Sequence, residues 1–320
     1  MYFVTNRFFK EKAKSPQSLA KGKKRTVRFD LKNNLVSNQI YFCKKEGEKL
    51  YEIGSSAFFN EIKESGYSDV LLYVHGFNNF PKKHIFPRTE RLQKMYDAHL
   101  QTKRVLVIPL IWPCNSKFGM LRDYVDDQMN ADASAFAMVR AFEKFIAHSQ
   151  KNKECSMRLN VLAHSMGNRV LRETLIKLKY EVFPKVFPQV FRNIFLVAAD
   201  VVNETLHRGE SGSVLSEACR NCVVYYASDD LALNGSKIIN LKSKVVSRRL
   251  GHTGVEDMQR VSPNVYNIDC DDFNNLYDFP KGHSYFLDDD EEKAGKLFLH
   301  TVHAIESGRV HFYKENALTL

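Results

Sequence analysis

No apolar run in the chain approaches the roughly 18–20 residues that a membrane-spanning helix requires. The longest, Val105–Trp112, is interrupted by Pro109. The first ten residues hold neither an apolar core nor a small-residue cleavage site, so no secretory signal is evident. Cysteine is sparse as well: six residues (43, 114, 155, 219, 222 and 270) scattered over 320 positions do not make a disulfide scaffold. Cys219 and Cys222 form one CxxC, but no second pair stands at zinc-ligand spacing, so both are expected to be buried small residues. With 15 Gly and 9 Pro the chain is neither fibrous nor of low complexity, and 44% hydrophobic content excludes disorder. No Gly-rich phosphate loop or GxGxxG occurs, so neither a nucleotide cofactor nor a metal is expected. The expectation is a soluble, cytoplasmic protein.

What the sequence does have is unevenly placed charge. Residues 1–50 carry 13 Lys/Arg against 4 Asp/Glu, whereas the remaining 270 are nearly balanced. The densest basic stretch is Lys21-Gly-Lys-Lys-Arg25. Such a segment suits nucleic acid or an anionic surface. No aromatic platform is interleaved with the charges, so a solvated loop is preferred and no stable nucleic-acid complex is expected.

Tyr2–Thr5, Thr26–Leu31 and Gln39–Cys43 read as half-exposed strands forming an antiparallel edge. From residue 69 the pattern changes to short, continuous apolar runs at 69–74, 104–111, 158–163, 193–198, 222–226 and 265–268. Runs of this kind are strands buried on both faces of a parallel sheet. Helical stretches lie between them, clearest at 131–149 and 167–180. Alternating strand and helix predicts a doubly wound α/β fold with right-handed crossovers. We expect residues 1–60 to be a basic segment whose edge strands join the same sheet. Residues 61–310 form the main domain, and 311–320 a tail.

In such sheets ligands bind beyond the carboxyl ends of the strands. The strand 158–163 runs into His164-Ser165-Met166-Gly167, which opens a helix. This is a nucleophile elbow, G-x-S-x-G, with Ala163 in the first glycine position. The strand at 69–74 ends in His75-Gly76-Phe77-Asn78-Asn79. Acyl-transfer enzymes of this architecture take oxyanion donors from the residue after the nucleophile and from an early strand's loop, which points to the amides of Met166 and Phe77. Gly76 would allow close backbone approach, and Asn78 and Asn79 would order the loop. A later strand ends in Asp229-Asp230, and Gly282-His283-Ser284 follows the last one. The order Ser…Asp…His is that of α/β-hydrolases.

The segments HGFNN (75–79), AHSMGNRVL (163–171), SDDLAL (228–233) and GHSYF (282–286) resemble a bacterial group of α/β-hydrolase-fold proteins. That group has been described as a domain of unknown function and as lipase- or esterase-like. The resemblance covers roughly residues 66–300, and the FVTNR start at 3–7 also fits it. It implies an α/β-hydrolase fold with Ser165 as nucleophile, His283 as base and an acid in the aspartate motif. Asp230, which precedes the Leu-Ala-Leu helix start, is preferred over Asp229; Asp200, beyond a neighbouring strand, is a further alternative. Supporting roles fall to His75, Gly76, Asn78, His164 and Gly167, with His164 packing or hydrogen-bonding rather than reacting.

The function so read is a serine hydrolase cleaving a small-molecule or lipid ester, without a cofactor. Its rival is a noncatalytic binding module that uses the basic N-terminus. Two topological expectations complete the reading. The greasy segment Val182–Phe191 should not be a lid, because it lies at the far end of the sheet. The segment Leu231–Arg260 begins at the active-site end, where it can overhang Ser165, and its cations (Lys237, Lys242, Lys244, Arg248, Arg249 and Arg260) are read either as a patch suited to anionic substrates or as a solvated helix face turned away from the mouth.

Overall fold

The apolar runs become strands because both of their faces are covered. The computed structural model describes residues 1–11, 24–100, 104–114, 120–151, 157–231, 233, 248–278, 281–287 and 293–310. Within these, ten strands form one sheet: β1 (Tyr2–Arg7), β2 (Arg25–Val27), β3 (Val36–Glu46), β4 (Lys49–Glu52), β5 (Asp69–Val74), β6 (Val105–Ile111), β7 (Arg158–His164), β8 (Phe191–Val197), β9 (Cys219–Tyr226) and β10 (Val265–Asp269). Their spatial order is β10-β9-β8-β7-β5-β6-β1-β3-β4-β2. Every neighbouring pair from β10 to β1 is parallel, and every pair from β1 to β2 is antiparallel. β1 is therefore the seam: parallel to β6 on one side, antiparallel to β3 on the other.

Alternate residues of β5 show the two layers. Val70, Leu72 and Val74 enter one apolar cluster, together with residues of α1 (Gly54–Glu64), α3 (Met120–Lys151) and α4 (Gly167–Lys177). Leu71 and Tyr73 enter the other, with residues of α2 (Phe86–His99) and α5 (Lys296–Ser307). Helices thus cover both faces of the sheet, which is why its central strands can be apolar throughout.

Some boundaries differ from the sequence reading. The helix expected at 131–149 is the middle of the longer α3, and α4 stops at Lys177, followed by a π-helical turn over Leu178–Val182. The strand expected at 26–31 ends at Val27, beyond which Phe29 makes only a bridge to Phe9. Cys219 and Cys222 are buried on β9 with free thiols.

Several described cations of the basic N-terminal segment meet an acid. Lys24 pairs with Glu46 at 3.0 Å, Arg25 with Glu52, Arg28 with Glu11 at 2.9 Å and Lys44 with Glu61 at 2.6 Å. Lys21 and Lys23 lie outside the described residues.

One polar rung crosses the otherwise apolar sheet. Asn160, Asn193 and Asn221 are in register on β7, β8 and β9, all buried. Asn221 donates its amide to Asn193 Oδ1 (2.8 Å), and Asn193 donates to Asn160 Oδ1 (2.7 Å).

The strand register also places the segment Val182–Phe191. It leads from α4 into β8, whose Asn193 is level with Asn160 and whose Val197 is level with His164. The segment therefore joins the sheet at its amino end, roughly 20 Å from the end that carries Ser165 at about 3.3 Å per residue. It is not a lid over Ser165, as expected. Among the described residues, no helix is long and apolar enough to cross a membrane.

Candidate active site

Three loops at the carboxyl ends of β5, β7 and β8 hold strained backbone. Asn78 (φ +56°), Ser165 (φ +54°) and Ala198 (φ +46°) are the only non-glycine residues with positive φ among those described. Side chains rarely adopt this region, and its cost of about 1–3 kcal/mol each persists only where the surroundings enforce it. For Ser165 the enforcement is visible. Its N–H donates to Val197 O (3.0 Å), and its carbonyl accepts from the amides of Asp200 (3.2 Å) and Asn168 (3.1 Å) and from Asn168 Nδ2 (2.9 Å). α4 starts two residues later, so the hydroxyl stands between a strand end and a helix N-terminus.

The glycines of the site explain themselves by distance. A Cβ on Gly167 would stand 2.4 Å from Val74 O and 2.7 Å from His75 O, so α4 packs directly on the end of β5. A Cβ on Gly76 would stand 2.8 Å from Ser165 Cβ, which puts the 75–79 loop against the serine.

That loop is held from within. Trp112 N–H donates to His75 Nε2 (3.2 Å), the indole N–H donates to His75 O (2.8 Å), and the two rings stack at 5.1 Å. With Nε2 accepting, His75 Nδ1 carries the proton and donates to Gly76 O (2.9 Å). Asn79 Nδ2 donates to the same carbonyl (3.0 Å) and to Phe77 O (2.8 Å), while Arg88 holds Asn79 Oδ1 (2.7 Å). Because the peptide is planar and trans, fixing the Gly76 carbonyl inward turns the Phe77 N–H the other way. Neither the Phe77 nor the Met166 amide donates a hydrogen bond within the described residues.

The histidine and its acid come from two further loops. Asp230 is fully buried; its Oδ2 accepts from His283 Nδ1 at 2.7 Å and its Oδ1 from the Leu233 amide at 3.1 Å. The bond at Nδ1 leaves His283 Nε2 as the free acceptor. Asp278 caps the histidine loop by accepting from the amides of His283 (3.1 Å) and Ser284 (2.6 Å). His164 Nε2 donates to the His283 carbonyl at 3.1 Å. His164 is therefore a packing and hydrogen-bonding residue, as read from sequence.

The alternative acids are engaged elsewhere. Asp229 is exposed and accepts from Asn274 and Asn275. Asp200 is buried, accepts from Tyr124 Oη (2.6 Å) and pairs with Arg249 Nε (3.2 Å). That pairing corrects the expected cationic patch: Arg249 points inward, while Arg248 and Arg260 are exposed. Lys237, Lys242 and Lys244 lie outside the described residues.

Asp278 and Trp112 carried no readable signal. Asp278 lies five and six residues before the two amides it caps, with ordinary loop composition around it, and Trp112 meets His75 only through the pairing of β5 with β6.

Two buried histidines make the protein acid-sensitive. Burial holds the His75 pKa down to about 3, and burial together with the neighbouring His283 holds His164 well below its usual 6.5. Both remain neutral in the folded state, whereas the unfolded chain takes up their protons near pH 6.5. Stability is thus unaffected above that pH and is lost as pH falls below it, by about 1.4 kcal/mol per pH unit for each group. Urea midpoints measured between pH 7.5 and 5 should fall accordingly, and His75→Gln should flatten the slope. An equal slope in the variant would contradict the assignment.

A mostly parallel sheet covered on both faces, with a strained serine on a strand–helix elbow, defines an α/β hydrolase. The profile of the family "Alpha/beta hydrolase of unknown function (DUF900)" matches residues 54–293, three quarters of the chain, and the chain belongs to that family. No curated protein and no solved structure matches it.

Proposed function

We propose that the protein is a serine hydrolase that cleaves a carboxylic ester-type bond through Ser165, His283 and Asp230. The observation that carries this reading is the buried Asp230–His283 hydrogen bond of 2.7 Å at the strand ends that also hold the strained Ser165. A carboxylate on Nδ1 fixes the tautomer whose Nε2 acts as base and stabilises the imidazolium that forms.

In the first half-reaction the Ser165 oxygen bonds to the ester carbonyl carbon while His283 Nε2 takes the hydroxyl proton. The carbonyl becomes an oxyanion, which the amides of Phe77 and Met166 receive, each worth about 3–4 kcal/mol of barrier. The start of α4 adds a favourable dipole at the same point. Collapse of the tetrahedral species breaks the bond to the alcohol, which leaves with the proton from His283. Water, deprotonated by the same imidazole, then releases the acid and restores Ser165. His75, neutral by burial, orders the oxyanion loop and takes no proton.

Reaction with a fluorophosphonate probe tests the reading. The intact protein should be labelled at Ser165, and Ser165→Ala should not be. Folded protein that resists the probe would sink the hydrolase reading and favour a noncatalytic module.

A further inference from the structure

The stretch 248–254, before β10, is built into the sheet. Gly251 donates to Ala199 O (2.9 Å) and its carbonyl accepts from the Ala227 amide (3.0 Å). A Cβ there would stand 2.1 Å from Ala199 N, so the chain lies directly on the ends of β8 and β9. Between this stretch and Leu233 is a cavity of about 120 Å³ lined by Leu233, Arg248, Arg249, His252 and Thr253.

Two connections tie the cavity to the candidate site. The Leu233 amide donates to Asp230 Oδ1, so one wall is the turn that holds the histidine's acid. Arg249 pairs with Asp200, whose own amide donates to the Ser165 carbonyl, so another wall adjoins the elbow.

The charge of this space is one-sided. Among the described residues its lining holds two arginines, a histidine and a threonine, and no carboxylate. Among the described residues two acids touch its lining, and both are engaged: Asp200 accepts from Tyr124 and pairs with Arg249, and Asp230 accepts from His283 and the Leu233 amide. Arg248 makes no ion pair with any described residue. The exposed Arg248 guanidinium at the edge of this space is matched best by the forked oxygens of a carboxylate or phosphate. A neutral group placed there would leave the Arg248 guanidinium without an anion, which is how such a site discriminates.

We infer that this cavity is an anion subsite: it binds a carboxylate or phosphate carried by the ester that is cleaved at Ser165. The inference rests on the serine hydrolase reading and adds the substrate class, an ester with an anionic oxyacid group.

Two measurements test it separately from that reading. Hydrolysis of mono-4-nitrophenyl succinate should be preferred over 4-nitrophenyl acetate, and Arg248→Gln should lower that preference, as a ratio of kcat/KM values, by about fivefold or more. Arg248→Lys should recover part of it. Vesicles of phosphatidylglycerol and of phosphatidylcholine form a parallel pair. Loss of selectivity only in the vesicle pair identifies a lipid headgroup as the source of the anion, and loss only in the soluble pair a small acid. Ratios unchanged in both pairs overturn the inference.

Independently, calorimetry with inorganic phosphate on Ser165→Ala should show binding that Arg248→Gln weakens, and phosphate binding indifferent to Arg248 also overturns it. If no ester is cleaved and no probe reacts, the hydrolase reading fails, yet calorimetry still decides whether the cavity takes an anion.

Discussion

Asp230→Asn should lower kcat for 4-nitrophenyl acetate by about 10⁴-fold while the protein stays folded. The asparagine preserves shape but turns an acceptor-only carboxylate into a group that can present N–H to His283 Nδ1. That would favour the tautomer with its proton on Nε2, where the base is needed. Asp229→Asn should stay within about tenfold, since Asp229 touches only Asn274 and Asn275 and its loss is that of ordinary hydrogen bonds. Steady-state kinetics of the two variants, with circular dichroism to verify folding, checks the assignment. Equal losses, or a larger one at 229, would hand the acid's role to its neighbour.

Gly167→Ala should be a severely damaging single-methyl change at the elbow. Its Cβ would fall 2.4 Å from Val74 O and 2.9 Å from Val74 C, both backbone atoms of a central strand. Neither β5, paired on both sides, nor α4, packed into the core, can yield cheaply. We expect a loss of about 3 kcal/mol or more, the upper range for overpacking. Thermal unfolding monitors it, and a midpoint within about 2 °C of the parent would show that α4 can shift after all.

Much of this was legible in sequence for a simple reason: burial on both faces leaves an uninterrupted apolar run. The parallel strands announced themselves in that way, and the elbow did so through small residues beside a serine. The preference for Asp230 over Asp229 rests on the resemblance, and in the structure it is Asp230 whose carboxylate meets His283 Nδ1 and the Leu233 amide. Other features depend on contacts between distant segments. β4 is four residues long, and α2 has a weakly apolar face, so neither declared itself. Arg249 read as surface charge because nothing local shows that Asp200 waits 49 positions upstream. The His75–Trp112 stack likewise exists only once β6 lies beside β5.

The asparagine rung raises a question of indexing. β7, β8 and β9 are apolar segments of similar length, and apolar contacts alone would tolerate one strand sliding by two residues past another, since that keeps every side chain on its face. The rung removes this freedom. A shifted β8 would carry Asn193 away from Asn160 and Asn221 and strand three amides in an apolar interior, at about 1–3 kcal/mol for each group left unsatisfied. The same amides reach the C-terminal helix: Asn193 donates to Ala304 O and Asn221 to Gly308 O, both at 3.3 Å. Three short side chains at the amino end of the sheet therefore set the count along each strand. Alignment of the serine loop with its neighbours at the other end inherits that count.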